Sequence, residues 1–150
     1  MFIGENASLH YYSKTATPAS EGIDIGLYAL RTNWLGIKLG SNSYSSVSDS
    51  DGGGTPETYT ATGLFTVSRN SPTQRSLYKN GVLVRDTLSA VGFPVANNLY
   101  IGAANNAGSP NYPSSRNCAY AAIGLGLTAD EEAAQYTIVQ AFQTALGRAV

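Results

Sequence analysis

The residues best suited to recognition chemistry lie in one stretch, residues 104–117, which is rich in Asn, Pro and Ser and contains Tyr112. Proteins bind sugars with an aromatic ring that covers C–H surface and with amide or guanidinium groups that hydrogen-bond hydroxyls. Tyr112, between Asn111 and Pro113, is the candidate ring, although Asn, Gly and Pro also occur in long loops for turn geometry alone. The candidate ligand-binding residues are Asn105, Asn106, Asn111, Tyr112 and Arg116.

Glycoside hydrolysis is the enzymatic reaction that the acidic residues of this chain could catalyse, if two of them were suitably placed. It needs two carboxylates about 5 Å apart in retaining enzymes and about 6.5–9.5 Å apart in inverting enzymes. The closest approach to such a pattern is Glu21 and Asp24, whose odd separation places them on opposite faces of a strand. We interpret Glu21 as a solvated turn acid and Asp24 as an acid at a strand edge, so no catalytic residue is predicted.

Two further patterns bear on catalysis and on metal binding. His10 is the only histidine, it lies in a strand-like run, and the chain has no Gly-x-Ser-x-Gly elbow. A packed or surface strand histidine is therefore predicted, and a His-rich metal site is excluded. Asp49 and Asp51 precede three glycines, but the twelfth position of an EF-hand loop counted from Asp49 is Thr60. This segment is predicted to be a flexible polar loop, with no metal ligand assigned.

The composition restricts the class of protein. The 150 residues are 43% hydrophobic and only 13% charged, with ten tyrosines, which is typical of extracellular or particle-bound β domains. The scattered Lys and Arg residues form no basic stripe, so nucleic-acid binding is not expected. The single Cys118 excludes an intrachain disulfide, and we interpret it as a buried apolar side chain. No run of about 18 apolar residues exists, so membrane insertion is not expected.

Alternation of apolar and polar residues predicts a series of short β-strands. Within 77–85, the Asn80-Gly81 dipeptide predicts a type I′ hairpin, because both central positions of that turn need a positive φ. A second hairpin is expected over 23–39, and residues 104–117 are expected to form a long loop. The predicted strands are 7–14, 23–30, 34–39, 43–47, 58–69, 98–103 and 118–125.

Only the end of the chain is predicted to be helical. Thr128 as N-cap and Glu131 at the third helical position fit a capping box, and Gly147 is a natural end. We expect the apolar stripe of this helix to pack on the sheet, with an interhelical oligomer contact as the alternative. The stripe consists of Ala133, Tyr136, Val139, Phe142 and Leu146.

Three segments in this order resemble the second half of a concanavalin A-like, laminin-G-type jelly roll. They are the hairpin 77–84, the strand 99–103 that ends in Ile-Gly-Ala, and 120–132, which ends in Leu-Thr-Ala-Asp-Glu-Glu. With its long final helix, the chain is similar to C-terminal modules of phage virion proteins and bacterial surface proteins. The resemblance implies an all-β fold, an antiparallel jelly-roll β-sandwich with one C-terminal α-helix, in a single domain spanning 1–150.

The resemblance also implies a function. We expect a non-catalytic module at a virion, extracellular or cell surface that binds a glycan or a host receptor. The alternatives are a structural, decoration or tail component that acts through protein–protein assembly, and a glycoside hydrolase of the same fold, which the carboxylate spacing disfavours. Members of this family have further strands before the segment equivalent to 7–14, so a homo-oligomer or docking on a larger assembly is expected. Related jelly rolls bind Ca²⁺, which leaves a calcium site open; no other cofactor is expected.

Overall fold

The computed structural model describes residues 6–16, 22–27, 33–39, 42–47, 54–56, 60–88 and 98–150. These residues form twelve β-strands in two sheets, followed by one α-helix, which confirms the prediction of a mostly β fold with a C-terminal helix. The elements are β1 (Ala7–Ser13), β2 (Ile25–Leu27), β3 (Asn33–Leu39), β4 (Asn42–Val47), β5 (Gly54–Pro56), β6 (Gly63–Arg69), β7 (Gln74–Lys79), β8 (Val82–Leu88), β9 (Tyr100–Ile101), β10 (Ala104–Asn106), β11 (Ser109–Asn111), β12 (Cys118–Gly124) and α1 (Ala129–Ala145).

The five-stranded sheet has the order β12-β1-β6-β7-β8, and every neighbouring pair in it is antiparallel. Every residue of β1 and β6 is buried, because both faces of these strands are covered. Leu9, Phe65 and Val67 belong to the core on one face. On the other face Tyr12 and Leu64 pack with Val139 of α1. The sheet therefore lies between an apolar core and the helix.

The predicted hairpin joins β7 to β8 and is confirmed. Asn80 has φ 52° and Gly81 has φ 73°, the left-handed values that the turn needs. The Asn80 side chain accepts a hydrogen bond from the Leu64 amide at 2.9 Å, which ties the turn to β6. A Cβ atom on Gly81 would lie 2.9 Å from Cα of Ala133, so the tip of the hairpin packs directly on the first turns of α1.

The second sheet has the order β11-β10-β2-β3-β4-β5, and β9 also pairs with β2. The predicted hairpin over 23–39 is present as the antiparallel pair β2–β3. The sheet is not purely antiparallel, however, because β10 runs parallel to β2. The chain reverses at Gly102, so β9 and β10 reach β2 in opposite directions and the predicted strand 98–103 is cut short. β5 was also missed, since its Gly-Thr-Pro sequence reads as a turn.

The helix begins as predicted, and its predicted apolar stripe packs on the sheet only in part. Thr128 and Glu131 form the capping box. The buried helix residues are Glu132, Val139 and Gln143, whereas Phe142 and Leu146 of the predicted stripe are exposed. Tyr136 and Val139 of the predicted stripe do pack with Tyr12 and Leu64 of the sheet. Beside them, Tyr12 donates to Gln140 Oε1 and Tyr120 accepts from Gln135 Nε2. The docking face of α1 is therefore part apolar and part polar, and Phe142 and Leu146 at the end of the stripe face solvent.

Two smaller features complete the description. Cys118, predicted to be buried, is exposed, because it lies at the beginning of the sheet's outermost strand. In the described part of the chain, no helix has both the length and the apolar content needed to cross a membrane.

Candidate functional site

The stretch 104–117, predicted to be a long loop, contains the antiparallel hairpin β10–β11. Ala107 (φ 51°) and Gly108 (φ 94°) form its turn, and this turn was not predicted because alanine is not a usual residue at a left-handed position. Asn106 pairs with Ser109 and Ala104 pairs with Asn111. Because side chains alternate along a strand, Asn106 and Asn111 share one face of the hairpin and Asn105 lies on the other.

Asn105 is committed to holding the hairpin together. Its side chain is buried, donates to the Asn98 carbonyl at 2.7 Å and accepts from the Gly108 amide at 2.7 Å. The Tyr100 hydroxyl donates to the Gly108 carbonyl at 2.9 Å. The side-chain amide of Asn105 therefore supports the turn, and its nitrogen and oxygen both form hydrogen bonds within the protein.

Arg116 also lies in the interior. Its Nη1 atom donates to both carboxylate oxygens of Asp24 at 3.0 Å, and both side chains are fully buried. The Ser114 hydroxyl donates to the same carboxylate at 2.6 Å. The interpretation of Asp24 as a strand-edge acid is therefore wrong: an arginine 92 residues away in sequence neutralises it. The ion pair fastens the segment after β11 to the segment before β2.

Tyr112 is the predicted site residue with an aromatic ring on the surface. It is 45% exposed, and its φ of 47° is unusual for a tyrosine. The backbone around it is held on both sides: the Tyr112 carbonyl accepts from the Ile23 amide at 2.8 Å, and the Tyr112 amide donates to Asn111 Oδ1 at 3.0 Å. Pro113 forms a parallel bridge with Ile23. Asn106 is exposed and Asn111 is half-buried. The predicted set thus divides into a surface group of Asn106, Asn111 and Tyr112 and an interior group of Asn105 and Arg116.

A second polar constellation, between the five-stranded sheet and α1, was not assigned from the sequence. The Ser8 hydroxyl donates to the Leu125 carbonyl at 2.7 Å and lies 2.8 Å from His10 Nε2. His10 Nδ1 lies 3.0 Å from the Thr66 hydroxyl. Since the Ser8 proton is used on Leu125, His10 carries its proton on Nε2 and accepts from Thr66 at Nδ1. Burial lowers the pKa of His10 to about 4.

Glu132, from the first turn of α1, faces the same sheet surface. It has no exposed area, and neither carboxyl oxygen has a hydrogen-bond partner among the described residues. Burial raises the pKa of Glu132 to about 7, and the negative charge of Glu131 acts in the same direction. The sequence places Glu132 in the helix's acidic first turn but gives no sign that it points into the protein.

The Ser8–His10 pair has the distance of a nucleophile and its base, but its proton arrangement is different. Ser8 is fully buried and its hydroxyl is turned to a backbone carbonyl, so His10 donates to Ser8 instead of accepting from it. A cavity of about 210 Å³ lies beside the pair, bounded by β12, residues 125–127 and Gln135. The spacing of Ser8 and His10 on one strand face was readable from the sequence. The contact of His10 with Thr66 depends on how β1 and β6 pair, so it could not be predicted from the sequence.

Asp49 and Asp51, in the segment predicted to be a flexible polar loop, lie outside the described residues, as does Glu21. Within the described ranges, no three His, Cys, Asp or Glu side chains come together as a metal site. Compared with known proteins, the chain matches no protein-family model and no curated sequence. The resemblance to concanavalin A-like modules therefore stays a prediction from the sequence.

Proposed function

We propose that this chain is a non-catalytic recognition module, a single jelly-roll β-sandwich domain of the concanavalin A-like type, which binds glycans at a virion or cell surface. The observation that carries the proposal is Tyr112, an exposed aromatic side chain on a backbone held by hydrogen bonds. A ring on a fixed backbone can cover the C–H face of a sugar with less loss of conformational freedom than a ring on a mobile loop.

The neighbouring amides fit the same chemistry. Asn106 and Asn111 share a face of the β10–β11 hairpin, and Tyr112 follows Asn111 directly. An amide presents a donor and an acceptor side by side, which matches the hydrogen-bonding needs of vicinal hydroxyls. Asn105 and Arg116 support the site from inside, because they fix the turn and the base of the hairpin. Rigid support of this kind improves a binding site by keeping its geometry in place.

Three observations support a non-catalytic role. Asp24 is consumed in an ion pair, Glu132 is fully buried between α1 and the sheet, and the Ser8 hydroxyl gives its proton to the Leu125 carbonyl and not to His10. A glycosidase needs two carboxylates flanking a sugar-sized cleft. Neither of these two carboxylates is available on a surface where a sugar ring fits.

The test is a glycan array probed with the wild-type chain, Tyr112→Ala and Tyr112→Phe. Aromatic contacts of this kind contribute about 1 kcal/mol or more, so Tyr112→Ala is expected to weaken binding roughly tenfold while Tyr112→Phe retains most of it. Phe142→Ala, which removes an exposed ring from α1, is the matched control and should bind normally. Equal binding by the wild-type chain and Tyr112→Ala would refute the site.

A second function, assembly with other protein chains, is favoured by a different observation. Several large apolar side chains of β12, the segment after it and α1 are exposed: Ile123, Leu125, Ile138, Phe142 and Leu146. A surface with so many exposed apolar residues is typical of a protein–protein contact. Assembly and glycan binding use separate parts of the molecule and are compatible.

A further inference from the structure

The two edges of the five-stranded sheet differ in charge. β12 is the last strand on one side, and among the described residues its strand partner is β1 alone. Residues 117–129, which include all of β12, contain no charged side chain and no proline. At the opposite edge, β8 carries Arg85 and Asp86. Charges and prolines are the usual protection of an exposed sheet edge against pairing, and β12 lacks both.

The exposed apolar side of α1 lies next to this edge. Ile138 is 66% exposed, and Phe142 follows it by one turn on the same helix face. Gln135 stands three residues before Ile138 and seven before Phe142, so the three share a face. The Gln135 amide donates to the Tyr120 hydroxyl on β12 at 3.0 Å, which places this face on the β12 side. The edge strand and the apolar flank of the helix thus lie side by side, and together they are here called the β12 surface, defined by 118–125 with Ile138, Phe142 and Leu146. Ile123 pairs with Leu9 and so lies on the face of the sheet away from α1, where it flanks the same edge.

We propose that a second copy of this chain covers the β12 surface, with β12 pairing antiparallel to β12 of the other copy. A two-fold axis perpendicular to the sheet relates the copies and joins their two five-stranded sheets into one. The inference rests on the assembly function alone, and it stands or falls independently of glycan binding at Tyr112.

Charge favours a second copy as the occupant. Two neutral β12 edges meet without burying a charge or opposing like charges. The two-fold axis also makes the two helices run in opposite directions. The acidic first turns, with Asp130 and Glu131, lie over the β7–β8 side of each sheet, away from the shared edge, so like charges of the two copies are not brought together there.

The size of the surface is adequate. A seven-residue strand is about 24 Å long, and a strand edge with a helix lying over its sheet is about 20–25 Å high. The product is a flat footprint of about 500–600 Å² per copy. Stable interfaces bury about 800 Å² per partner, whereas crystal contacts bury less than about 400 Å² per partner. The footprint per copy lies between the area of a crystal contact and that of a stable interface. It counts a flat surface only, so protruding side chains add to the buried area.

The test is sedimentation velocity over a wide range of protein concentration, with single lysine substitutions in the intact chain. The wild-type chain is expected to show a concentration-dependent dimer. Ile123→Lys on the strand and Ile138→Lys on the helix should each weaken the dimer by about tenfold or more, because each places a charge in an apolar contact. Val82→Lys is the matched control, since Val82 is 68% exposed on the opposite edge strand and should leave the dimer unchanged. Ile138→Lys changes an exposed helix position and leaves the core intact.

Hydrogen exchange distinguishes strand pairing from contact through the helices alone. Amides of 118–124 should become more protected as the protein concentration rises, while those of 82–88 should not change. A wild-type chain that stays monomeric at every concentration overturns the inference. A dimer that survives both Ile123→Lys and Ile138→Lys, or that Val82→Lys disrupts equally, overturns it as well. Tyr112→Ala should weaken glycan binding roughly tenfold and leave the dimer intact, so the two proposals fail separately.

Discussion

His10 and Glu132 are both held neutral between the sheet and α1, and folding affects their protons in opposite ways. Burial lowers the pKa of His10 from 6.5 to about 4 and raises that of Glu132 from 4.5 to about 7. Between pH 4.5 and 6.5 the unfolded chain therefore carries one proton, on His10, and the folded chain carries one proton, on Glu132. Because the number of bound protons is equal, the two residues together add no pH dependence to the free energy of unfolding in this window.

Single variants should uncover the two opposing contributions. In Glu132→Gln the His10 contribution remains, and it is complete above pH 6.5 and lost as the pH falls through about 4. The free energy of unfolding of this variant should rise with pH over that range relative to wild type. In His10→Asn the Glu132 contribution remains, complete below pH 4.5 and lost as the pH rises through about 7, so stability should fall with pH.

Urea unfolding measured at several pH values checks both slopes against the wild-type chain. The opposite signs of the two slopes are the diagnostic feature, since a general loss of stability would shift both curves without tilting them. Two variants with the wild-type pH dependence would contradict the assignment of buried neutral groups at these positions.

At the scale of elements, the contact between the β7–β8 hairpin and α1 is set by one glycine. Gly81 combines a positive φ with a position where a Cβ atom would lie 2.9 Å from Cα of Ala133. Gly81→Ala should therefore reduce the free energy of unfolding by about 3 kcal/mol, from backbone strain and steric overlap together. Gly108→Ala is the matched control, because Gly108 also has a positive φ but has no atom within 4 Å of an added Cβ.

Gly108→Ala should reduce the free energy of unfolding by about 1 kcal/mol, from backbone strain alone. Equilibrium unfolding of the two variants isolates the steric part as their difference. Equal losses would mean that the hairpin tip does not pack on the helix.

The elements also show which features the sequence could predict. The Asn80-Gly81 turn and the Thr128–Glu131 capping box are local signals, and both were predicted correctly. The β10–β11 turn was missed because Ala107 occupies a left-handed position without the usual residue type. The docking face of α1 was predicted only in part: Tyr136 and Val139 dock as expected, but the hydroxyls of Tyr12 and Tyr120, which come from other elements, also bond Gln140 and Gln135.

At the scale of the whole molecule, the buried pair of Asp24 and Arg116 joins distant parts of the chain. Arg116→Met removes the cation and leaves an uncompensated buried carboxylate, which should cost about 3–5 kcal/mol of stability. The double variant Asp24→Leu/Arg116→Met removes both charges and should recover most of that loss. Urea unfolding of the single and double variants measures this coupling. A single variant with wild-type stability would show that the ion pair does not hold these segments together.

The candidate site was only partly predictable from the sequence, because some of its contacts join residues that lie far apart along the chain. Tyr112 and its asparagine neighbours were chosen by residue type, and the structure places Tyr112 and Asn106 at the surface. Arg116 was chosen on the same grounds, but its partner lies 92 residues away, and a pairing of that range leaves no local pattern. The chain from Ser8 through His10 to Thr66 was missed because it exists only once β1 and β6 are paired in register.

The central claim is that the exposed ring of Tyr112 binds sugar, and a ligand-induced thermal shift tests it most directly. A glycan that binds only the native chain raises its melting temperature by an amount that grows with the logarithm of the glycan concentration relative to the dissociation constant. For the strongest array ligand at one concentration, we predict similar shifts for the wild-type chain and Tyr112→Phe and a clearly smaller shift for Tyr112→Ala, whose melting temperature without ligand stays close to wild type. A shift of equal size in Tyr112→Ala, or no glycan that shifts the wild-type chain, would contradict it.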